Sequence, residues 1–406
     1  MSMAAMPDVA GSLWLRPGVP LPHNLRSTRR DWAAQLAPGR PAAAWPALLA
    51  SLYNQCGHAH RLCSRLALAA ATRSGPLPDA ALAAEQLRAE TAREHQHRIA
   101  LDWPRALGGH AAGLPAARAA LVGSPLRQGQ APDWEAQRRW LAAQLLQMPA
   151  EAWLQRWQSG GADWLAHWCH RHEGWLARLL AQAHALDLPV PLAPDHALQP
   201  PTPAEAPALA QALAQQAGFA LQPQWPQWQG RAAHTGTWSR AGERRGLHGA
   251  PAPVPPGALG SPWALLGFRL ADLVRLSLPD GAHWLACGAQ ATGPRAALAW
   301  VETGRGLLLH YLQLADLEAD AETDAGDARA PVLRAAQVLP PTAWNFHAEG
   351  IAARILARID AQAPTATRAV GLLTASLDPC MPLHLAPPSQ PSTEPRSDGA
   401  SGAAHA

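Results

Sequence analysis

The chain carries NQCGHAHRLC at residues 54–63 and SLDPCMPLH at residues 376–384, two short cysteine segments at opposite ends of 406 residues. Cys56 stands directly before a glycine, and Cys380 directly after a proline. A fold that brought the two ends together would place two sulfur atoms, which are soft metal ligands, side by side. An isolated pair of cysteines is more often a pair of buried free thiols, so the interpretation depends on what accompanies them.

Charge and composition exclude several classes of function. The 33 basic residues nearly balance the 30 acidic ones and form no basic block, so we expect no nucleic-acid partner. No apolar run approaches the roughly 20 residues that a membrane helix needs. Five cysteines are too few and too scattered for a disulfide framework. The N-terminus shows no basic region followed by an apolar run, so we expect a cytoplasmic protein.

The first 190 residues have a helical pattern. The Ala/Leu-rich stretch Trp45–Thr72 is broken only around its first cysteine, and Pro78–Trp103 is a second helical stretch whose end Pro104 marks. Asp133 is placed to cap a helix that runs through Met148. These patterns predict a protein that is mostly α-helical in this half.

Tryptophans recur at helical spacings of four and seven, with Gly160-Gly161 between them, so the stripe is predicted to span two helices: Trp153, Trp157, Trp164, Trp168 and Trp175. We interpret the stripe as core. The nearby run from His167 to His172 contains three histidines and Cys169. Only Cys169 and His172 have the i, i+3 spacing of two ligands on one helix face, and no second pair accompanies them. This favours a solvated helix face over a metal cluster.

The pattern changes in the C-terminal half. Ala296–Val301 and Leu307–Leu312 are apolar, and the Gly-containing link between them suits a β-hairpin. Val332–Leu339 reads as a further strand and Gly350–Gln362 as a helix. The acidic run Asp316–Asp327 lacks the glycine and glutamate of a calcium loop and is predicted to be solvated surface. The fold class is therefore α+β, predominantly helical, with a small β-hairpin region.

Proline marks the connections. Residues 191–207 and 249–262 are proline-rich connectors, and the weakly patterned stretch between them reads as a possible insertion. Residues 387–406 contain few large apolar side chains and are predicted to be a disordered tail. We expect one domain over residues 1–386.

Four motifs, in the same order, resemble those of [NiFe]-hydrogenase large subunits. Cys56–Ala59 resembles the Cys-Gly-x-Cys motif of that family, and Asp378–Leu383 its C-terminal Asp-Pro-Cys-x-x-Cys motif. Val301–Tyr311 resembles the Glu-Ala-Pro-Arg-Gly hairpin that ends in Gly-His-Trp, and Pro341–Asn345 resembles Pro-Thr-Thr-Trp-Asn. The resemblance implies a helix-rich large-subunit-like fold in which the two cysteine segments meet at the centre.

The resemblance also implies which ligands are lost. In the family the first cysteine of each pair binds nickel, and the second bridges nickel to iron. The first cysteines remain as Cys56 and Cys380, whereas the bridging positions hold Ala59 and Leu383. The family's proton-relay glutamate has no clear equivalent; the nearest segment is Ser27–Trp32. Since alanine and leucine offer no lone pair, we expect no nickel and no hydrogenase turnover.

Two further residues are implied by the matching motifs. The hairpin arginine and the hydroxyl before Thr-Trp-Asn hydrogen-bond the cyanides on iron in the family, and these positions correspond to Arg305 and Thr342. A guanidinium is a permanently charged donor, which suits an anionic cyanide. The alternatives are a surface turn arginine and a threonine at the end of a strand. Gly304 replaces a proline of the iron pocket, so we expect a looser pocket.

These departures resemble the hydrogenase expression/formation family known as HupK or HoxV. That resemblance implies a non-catalytic maturation scaffold that receives iron carrying cyanide and carbonyl, the Fe(CN)2(CO) fragment, from a HypC-type chaperone and its HypD partner. The scaffold then passes the fragment to the hydrogenase large subunit. Cys56 and Cys380 are the predicted iron ligands. We also expect that residues 387–406 are not removed by proteolysis, which an intact-mass measurement tests.

Two alternatives remain at this stage. A divergent hydrogenase or hydrogen sensor would need His60 or Cys63 as a replacement ligand. Cys63 lies about 10 Å from Cys56 along a helix, too far for one ion, whereas His60 is nearer but is as readily a structural histidine. The second alternative is a metal-free interaction protein.

Overall fold

A computed structural model describes residues 11–73, 79–108, 114–192, 196–218, 226–243, 260–315 and 330–386. The acidic run, parts of both connectors and the tail 387–406 lie outside the described residues.

The helices are α1 Trp32–Leu36, α2 Trp45–Leu52, α3 Gly57–Thr72, α4 Ala80–His97, α5 Trp103–Leu107, α6 Leu114–Val122, α7 Trp134–Leu141, α8 Ala150–Arg171, α9 Trp175–His184, α10 Ala206–Gly218, α11 Thr237–Glu243, α12 Pro262–Ser277, α13 Pro341–Asn345, α14 Ile351–Leu356 and α15 Ala366–Leu377. The strands are β1 Leu13–Leu15, β2 Leu25–Ser27, β3 Cys287–Gly293, β4 Ala296–Thr303, β5 Gly306–Leu314, β6 Leu333–Leu339 and β7 Leu383–Leu385. The predicted α+β class is confirmed.

The centre of the helical part is α12. Its side chains are buried on every face except at Arg275, and its two buried charged residues, Arg269 and Asp272, are paired with opposite charges. It packs against α4, α8, α11 and α15. Ser261 caps its first turn, since its side-chain oxygen accepts a hydrogen bond from the backbone N–H of Ala264 at 2.9 Å. This helix therefore positions the elements that lead into the second cysteine segment.

Two sheets complete the fold. β3, β4, β5 and β6 form an antiparallel sheet in that order, and α3 packs on its first three strands. The small second sheet has the order β2-β1-β7, with β1 antiparallel to β2 and parallel to β7. The hairpin β4–β5 and the strand β6 confirm the sequence prediction. The second sheet brings the N-terminal strands beside the segment that follows Cys380.

The helical predictions are mostly confirmed, with two corrections. The side chain of Asp133 caps α7, accepting from the N–H of Ala136 at 2.8 Å. The prediction that a helix ends at Pro104 is wrong, because α5 continues to Leu107. A wider π turn over Arg98–Asp102 precedes the proline and accommodates its ring and missing N–H.

The second correction concerns the helix predicted over Gly350–Gln362, which ends at Leu356. Hydrogen bonds from Arg358 N to the Ile355 carbonyl and from Ile359 N to the Leu356 carbonyl, at 3.0 and 3.2 Å, tighten the chain into a turn.

The tryptophan stripe is core. Trp153 is fully buried, and its ring stacks on Trp157 and meets Trp164 and Trp168 edge-on. Within α8, Gly161 has φ 52° and ψ −138°, so the helix kinks there as predicted. Cys169 is buried, so the prediction of a solvated face over residues 167–172 is wrong at that residue.

One cluster of buried apolar side chains reaches from Leu13 to Met381, and a smaller one joins α10 to the outer face of the larger sheet. The single domain over residues 1–386 stays a prediction. None of the described helices combines the length and the apolar character needed to cross a membrane.

Candidate metal centre

Cys56 lies at the start of a helix. A 3₁₀ turn over Asn54–Cys56 joins α2 to α3, which begins at Gly57. The glycine permits the close crossing of the two helices, because a Cβ there would stand 2.8 Å from the Ala50 carbonyl oxygen. Burial raises the pKa of the Cys56 thiol, and the Arg305 guanidinium only partly offsets this. The thiol therefore keeps its proton at neutral pH in this setting.

Cys380 follows the last turn of α15, which Asp378 ends with a left-handed φ of 46°. The Thr342 hydroxyl donates to the Cys380 sulfur at 3.2 Å and accepts from the Cys380 N–H at 3.1 Å. Arg29 Nη1 also donates to the sulfur, at 3.4 Å. Burial acts to raise the pKa of Cys380, but Arg29, Arg305 and these hydrogen bonds outweigh it and lower the pKa. Cys380 is therefore the more readily ionised thiol of the two.

Arg305 connects the two cysteine segments. It stands at the tip of the β4–β5 hairpin and is 3% exposed. Its Nε donates to the Asp378 carbonyl oxygen at 3.0 Å, and its Nη2 donates to Gln55 Oε1 at 3.3 Å. Glu94 forms an ion pair with its Nη1. Because Gln55 and Asp378 belong to different cysteine segments, one guanidinium fixes the position of each relative to the other.

The four residues predicted for the site therefore converge. Negative charge on Cys380 raises the pKa of Cys56, and negative charge on either thiol raises the pKa of Arg305. Thr342 contacts Cys380 directly. One soft sulfur from each segment, with hydrogen-bond donors beside them, fits a metal that carries anionic ligands. The ligand roles of the four residues stay predictions.

Asp378 anchors the second segment through three arginines. Arg269 Nη1 lies 3.0 Å from one carboxylate oxygen, and Arg98 Nε lies 3.1 Å from the other. Arg305 Nε lies 3.4 Å away. Burial acts to raise the pKa of Asp378, but the three guanidinium groups lower it below its ordinary value. A buried carboxylate held this way fixes the loop that presents Cys380.

α4 contacts the site through side chains one helical turn apart. Glu90 accepts hydrogen bonds from the backbone N–H groups of His58 and Ala59, at 3.0 and 3.1 Å. Glu94 pairs with the hairpin arginine, and Arg98, just beyond the helix, pairs with the aspartate of the second segment. Burial raises the pKa of Glu90 to about 7, against the effect of its two backbone hydrogen bonds. One helix thus supports both cysteine segments and the hairpin.

The space beside Gly304 is not empty. A Cβ at Gly304 would stand 3.1 Å from Glu94 Oε2 and 3.3 Å from the imidazole of His95. His95 in turn contacts the buried carboxylate of Asp272, with 2.7 Å between Nε2 and Oδ2. The looser pocket expected from the missing proline stays a prediction, and these polar side chains occupy the volume next to the glycine.

His60 and His310 form a buried pair with Ser64. The Ser64 hydroxyl donates to the His60 carbonyl at 2.8 Å, so its oxygen accepts from His310 Nδ1, 3.1 Å away. His310 Nε2 then accepts from His60 Nδ1, at 3.0 Å. Burial lowers the pKa of His310 to about 3 and the pKa of His60 well below its ordinary value. His60 is thus held as a neutral, hydrogen-bonded histidine, the structural alternative foreseen from the sequence.

The two positions that lack the family's bridging cysteines serve the fold. Ala59 is fully buried in the first turn of α3, with its N–H bound by Glu90. Leu383 begins β7 and pairs with Leu13 of β1. A cleft of about 210 Å³ opens beside Asp378 and Leu383, next to the Cys380 loop. Cys63 is fully buried in the core, on the side of α3 that does not face solvent.

Sequence reasoning missed the residues that support the site: Arg29, Gln55, Glu90, Glu94, Arg98 and Arg269. Part of this set has a sequence signal. The spacing of four between Glu90, Glu94 and Arg98 places them on one helix face. Arg269 interrupts an apolar stretch, and a charge inside a buried helix needs a partner. Arg29 has no such signal, because its contact is 351 positions away.

The fold is that of the [NiFe]-hydrogenase large subunits. A solved NAD+-reducing [NiFe]-hydrogenase in the H2-reduced state superimposes with a TM-score of 0.50, over 88% of this chain and 91% of that chain. The two are 15% identical, so this likeness shows the fold alone. Within the described residues, no three His, Cys, Asp or Glu side chains are grouped to hold one metal ion.

Sequence comparison narrows the class. The chain is 35% identical over 396 residues to the hydrogenase expression/formation protein HoxV of Cupriavidus necator, covering 92% of this chain and 94% of that protein. The chain matches no protein-family profile. At this identity and coverage, the chain belongs to the hydrogenase expression/formation family that includes HoxV.

Proposed function

We propose that this protein is a non-catalytic scaffold in [NiFe]-hydrogenase maturation, which transiently holds the Fe(CN)2(CO) fragment and passes it to the hydrogenase large subunit. Membership of the expression/formation family supports the maturation role. The single observation that carries the mechanism is the convergence at Cys380. Its sulfur accepts from Thr342, and Arg305 ties its loop to the Cys56 segment.

The donor set suits this cargo. Two thiolates are soft ligands appropriate to low-spin iron. Cyanides on the iron are anionic acceptors, for which Arg305 and Thr342 are the proposed donors. Arg305 keeps its positive charge at any physiological pH, because Asp378 and Glu94 raise its pKa against the effect of burial. The cargo is therefore held by two bonds to sulfur and by hydrogen bonds to its cyanides.

Incomplete ligation supports a carrier function. Ala59 and Leu383 provide no bridging sulfur, so the proposed metal site offers two protein thiols where the family's site has four. A fragment bound by fewer ligands leaves more readily, which a transfer protein requires. The cleft beside Leu383 opens next to the Cys380 loop and offers a route for the fragment. The proposed donors of the cargo are a HypC-type chaperone with HypD, and the proposed acceptor is the large subunit.

Infrared spectroscopy with metal analysis tests the proposal. The protein is purified without oxygen from cells that express the whole maturation system, together with Cys56→Ser and Cys380→Ser. We expect iron without nickel, and cyanide and carbonyl bands that both substitutions abolish. Cys287→Ser is the matched control, because Cys287 is an exposed cysteine outside the site and its loss should leave the bands unchanged.

Two other functions give different results in the same experiment. A divergent hydrogenase or hydrogen sensor predicts one equivalent of nickel beside the iron. A metal-free interaction protein predicts neither metal nor bands, and hydrogenase maturation that survives both serine substitutions. Either result contradicts the scaffold proposal.

A further inference from the structure

A guanidinium stands against the candidate iron-binding sulfur. Arg29 Nη1 donates to the Cys380 sulfur at 3.4 Å, across 351 positions of sequence. The same guanidinium lies 5.6 Å from the centre of the Tyr53 ring, and Tyr53 stacks on the buried His60 with 4.4 Å between ring centres. The contact thus joins the segment after β2 to the Cys380 loop at the site itself.

The backbone of Arg29 is held as closely as its side chain. Gly11 has a φ of +68°, and a Cβ there would stand 2.6 Å from the Arg29 Cα. Only glycine combines this conformation with this approach. On its other side, the backbone N–H of Arg29 donates to Ser27 Oγ at 3.2 Å. The guanidinium is therefore placed by the fold and is not a surface side chain that falls on the site by chance.

Arg29 differs from the other arginines around the site in its partner. Arg98, Arg269 and Arg305 all pair with the carboxylate of Asp378. Among the described residues, the groups that face the Arg29 guanidinium are instead the Cys380 sulfur and Tyr53, and Asp31 acts on it from the cap of α1. The positive charge of Arg29 is thus directed at the Cys380 sulfur, where a bound metal would lie.

Such a charge discriminates between metal species by their net charge. Iron(II) with two cyanides and one carbonyl has no net charge, so a neighbouring guanidinium does not repel it and can donate hydrogen bonds to its cyanides. A free divalent cation bound at the same sulfur would be repelled by the guanidinium in a partly buried, low-dielectric setting. It would also have to displace the N–H···S hydrogen bond.

We infer that Arg29 is a specificity-determining residue that admits the uncharged iron fragment at Cys380 and excludes free nickel(II) from it. The iron part of this inference rests on the proposed function, whereas the exclusion of nickel rests on the contact alone. The thiols of this site could also bind nickel. Because Arg29 keeps nickel out, the site stays available for the iron fragment in a cell that supplies both metals.

Equilibrium dialysis of the purified, metal-free full chain against Ni²⁺ alone tests the inference. We expect Arg29→Gln and Arg29→Met to bind Ni²⁺ at least about tenfold more tightly than the unsubstituted chain, since a repulsive charge is gone. Arg29→Lys keeps the charge and should stay within about threefold of the unsubstituted chain. Arg30→Gln is the matched control, since Arg30 is the exposed neighbour.

A second substitution locates the added nickel. In Arg29→Gln/Cys380→Ser the gain should disappear, and absorption from sulfur-to-nickel charge transfer should be lost with it. Dialysis at two pH values separates repulsion from altered thiol ionisation, because repulsion by an arginine persists at both. A gain that survives the loss of Cys380, or no gain in either folded Arg29 variant, overturns the inference.

The two proposals fail separately. If the unsubstituted protein shows no cyanide or carbonyl bands but Arg29→Gln gains nickel, the scaffold function fails and the exclusion of nickel stands. If the bands are present and neither variant gains nickel, the scaffold function stands and the role assigned to Arg29 is wrong. Thermal melting of each variant confirms that the binding measurements compare folded proteins.

Discussion

A single side chain, Arg305, carries most of the geometry of the candidate site. Its planar guanidinium reaches the Asp378 carbonyl, Gln55 and Glu94 in different directions at the same time. A lysine ammonium is a point charge on a flexible chain and cannot reproduce that pattern. The charge and the geometry of this position can therefore be separated by experiment.

We predict that Arg305→Lys loses most of the bound iron fragment although it keeps the charge. Each hydrogen bond to a charged group that is not remade costs about 1–3 kcal/mol, so the free energy of unfolding should also fall by that order. The cyanide and carbonyl bands per mole of protein give the first result, and denaturant unfolding gives the second. Arg26→Lys, at an exposed position of β2, is the control. Full band intensity in Arg305→Lys would contradict the role given to the guanidinium geometry.

The buried histidine pair predicts a pH dependence of stability. The pKa of His310 is lowered to about 3 in the folded protein by burial, below its ordinary value near 6.5 in the unfolded chain. The unfolded state therefore binds more protons in this window. The stabilising contribution is complete above about pH 6.5 and is lost as the pH falls towards 3.

We predict that the difference in unfolding free energy between the unsubstituted protein and His310→Gln shrinks by about 2 kcal/mol between about pH 7 and about pH 5. Glu90, whose pKa is raised to about 7, acts in the opposite direction but is common to both proteins and cancels in the comparison. Urea unfolding at the two pH values measures the difference. His23→Gln, at an exposed histidine, is the control, and equal pH dependence in all three proteins would refute the prediction.

At the scale of elements, close helix crossings position each cysteine segment. Gly57 lets α3 meet α2 next to Cys56. Gly371 does the same for α15, because a Cβ there would stand 2.3 Å from the Ala106 carbonyl oxygen of α5. Backbone atoms cannot move aside as a flexible side chain can, so these positions admit only glycine without displacement of a helix.

We predict that Gly371→Ala lowers the free energy of unfolding by about 1–3 kcal/mol, the usual cost of overpacking. Because α15 leads directly into the Cys380 loop, the displaced helix should also reduce the bound iron fragment. Unfolding midpoints and infrared band intensity measure the two effects. Gly293→Ala is the control, since the nearest atom to its Cβ is the Ala296 methyl at 3.9 Å. A variant as stable as the control would show that the crossing has room for a methyl group.

Elements with strong local signals were predictable from the sequence. The apolar runs and the glycine-containing link of the β4–β5 hairpin, and the break in helical pattern at Cys56, correspond to what the structure shows. The strands β1, β2 and β7 have three residues each, too few to give a period, and they exist because distant segments pair. α11 lies in a weakly patterned stretch, yet its Arg240 pairs with buried Asp272 at 2.7 Å, a contact that sequence cannot reveal.

At the scale of the whole molecule, the ordered motifs predicted the fold class and the residues Cys56, Cys380, Arg305 and Thr342. What they did not predict is the set of charges around them. Contacts such as Arg29 with Cys380 and Arg269 with Asp378 span 351 and 109 positions, so no local pattern encodes them. The fold brings these charges together around the two cysteines of the proposed iron site.

Transfer of labelled iron tests the central claim most directly. The protein is loaded with ⁵⁷Fe in cells that express the maturation system, purified without oxygen, and mixed with large subunit that lacks iron. We predict that the ⁵⁷Fe and the cyanide and carbonyl bands move together to the large subunit, and that Cys380→Ser delivers neither. Label that stays on this protein, or a large subunit that acquires iron equally well from Cys380→Ser, would contradict the account.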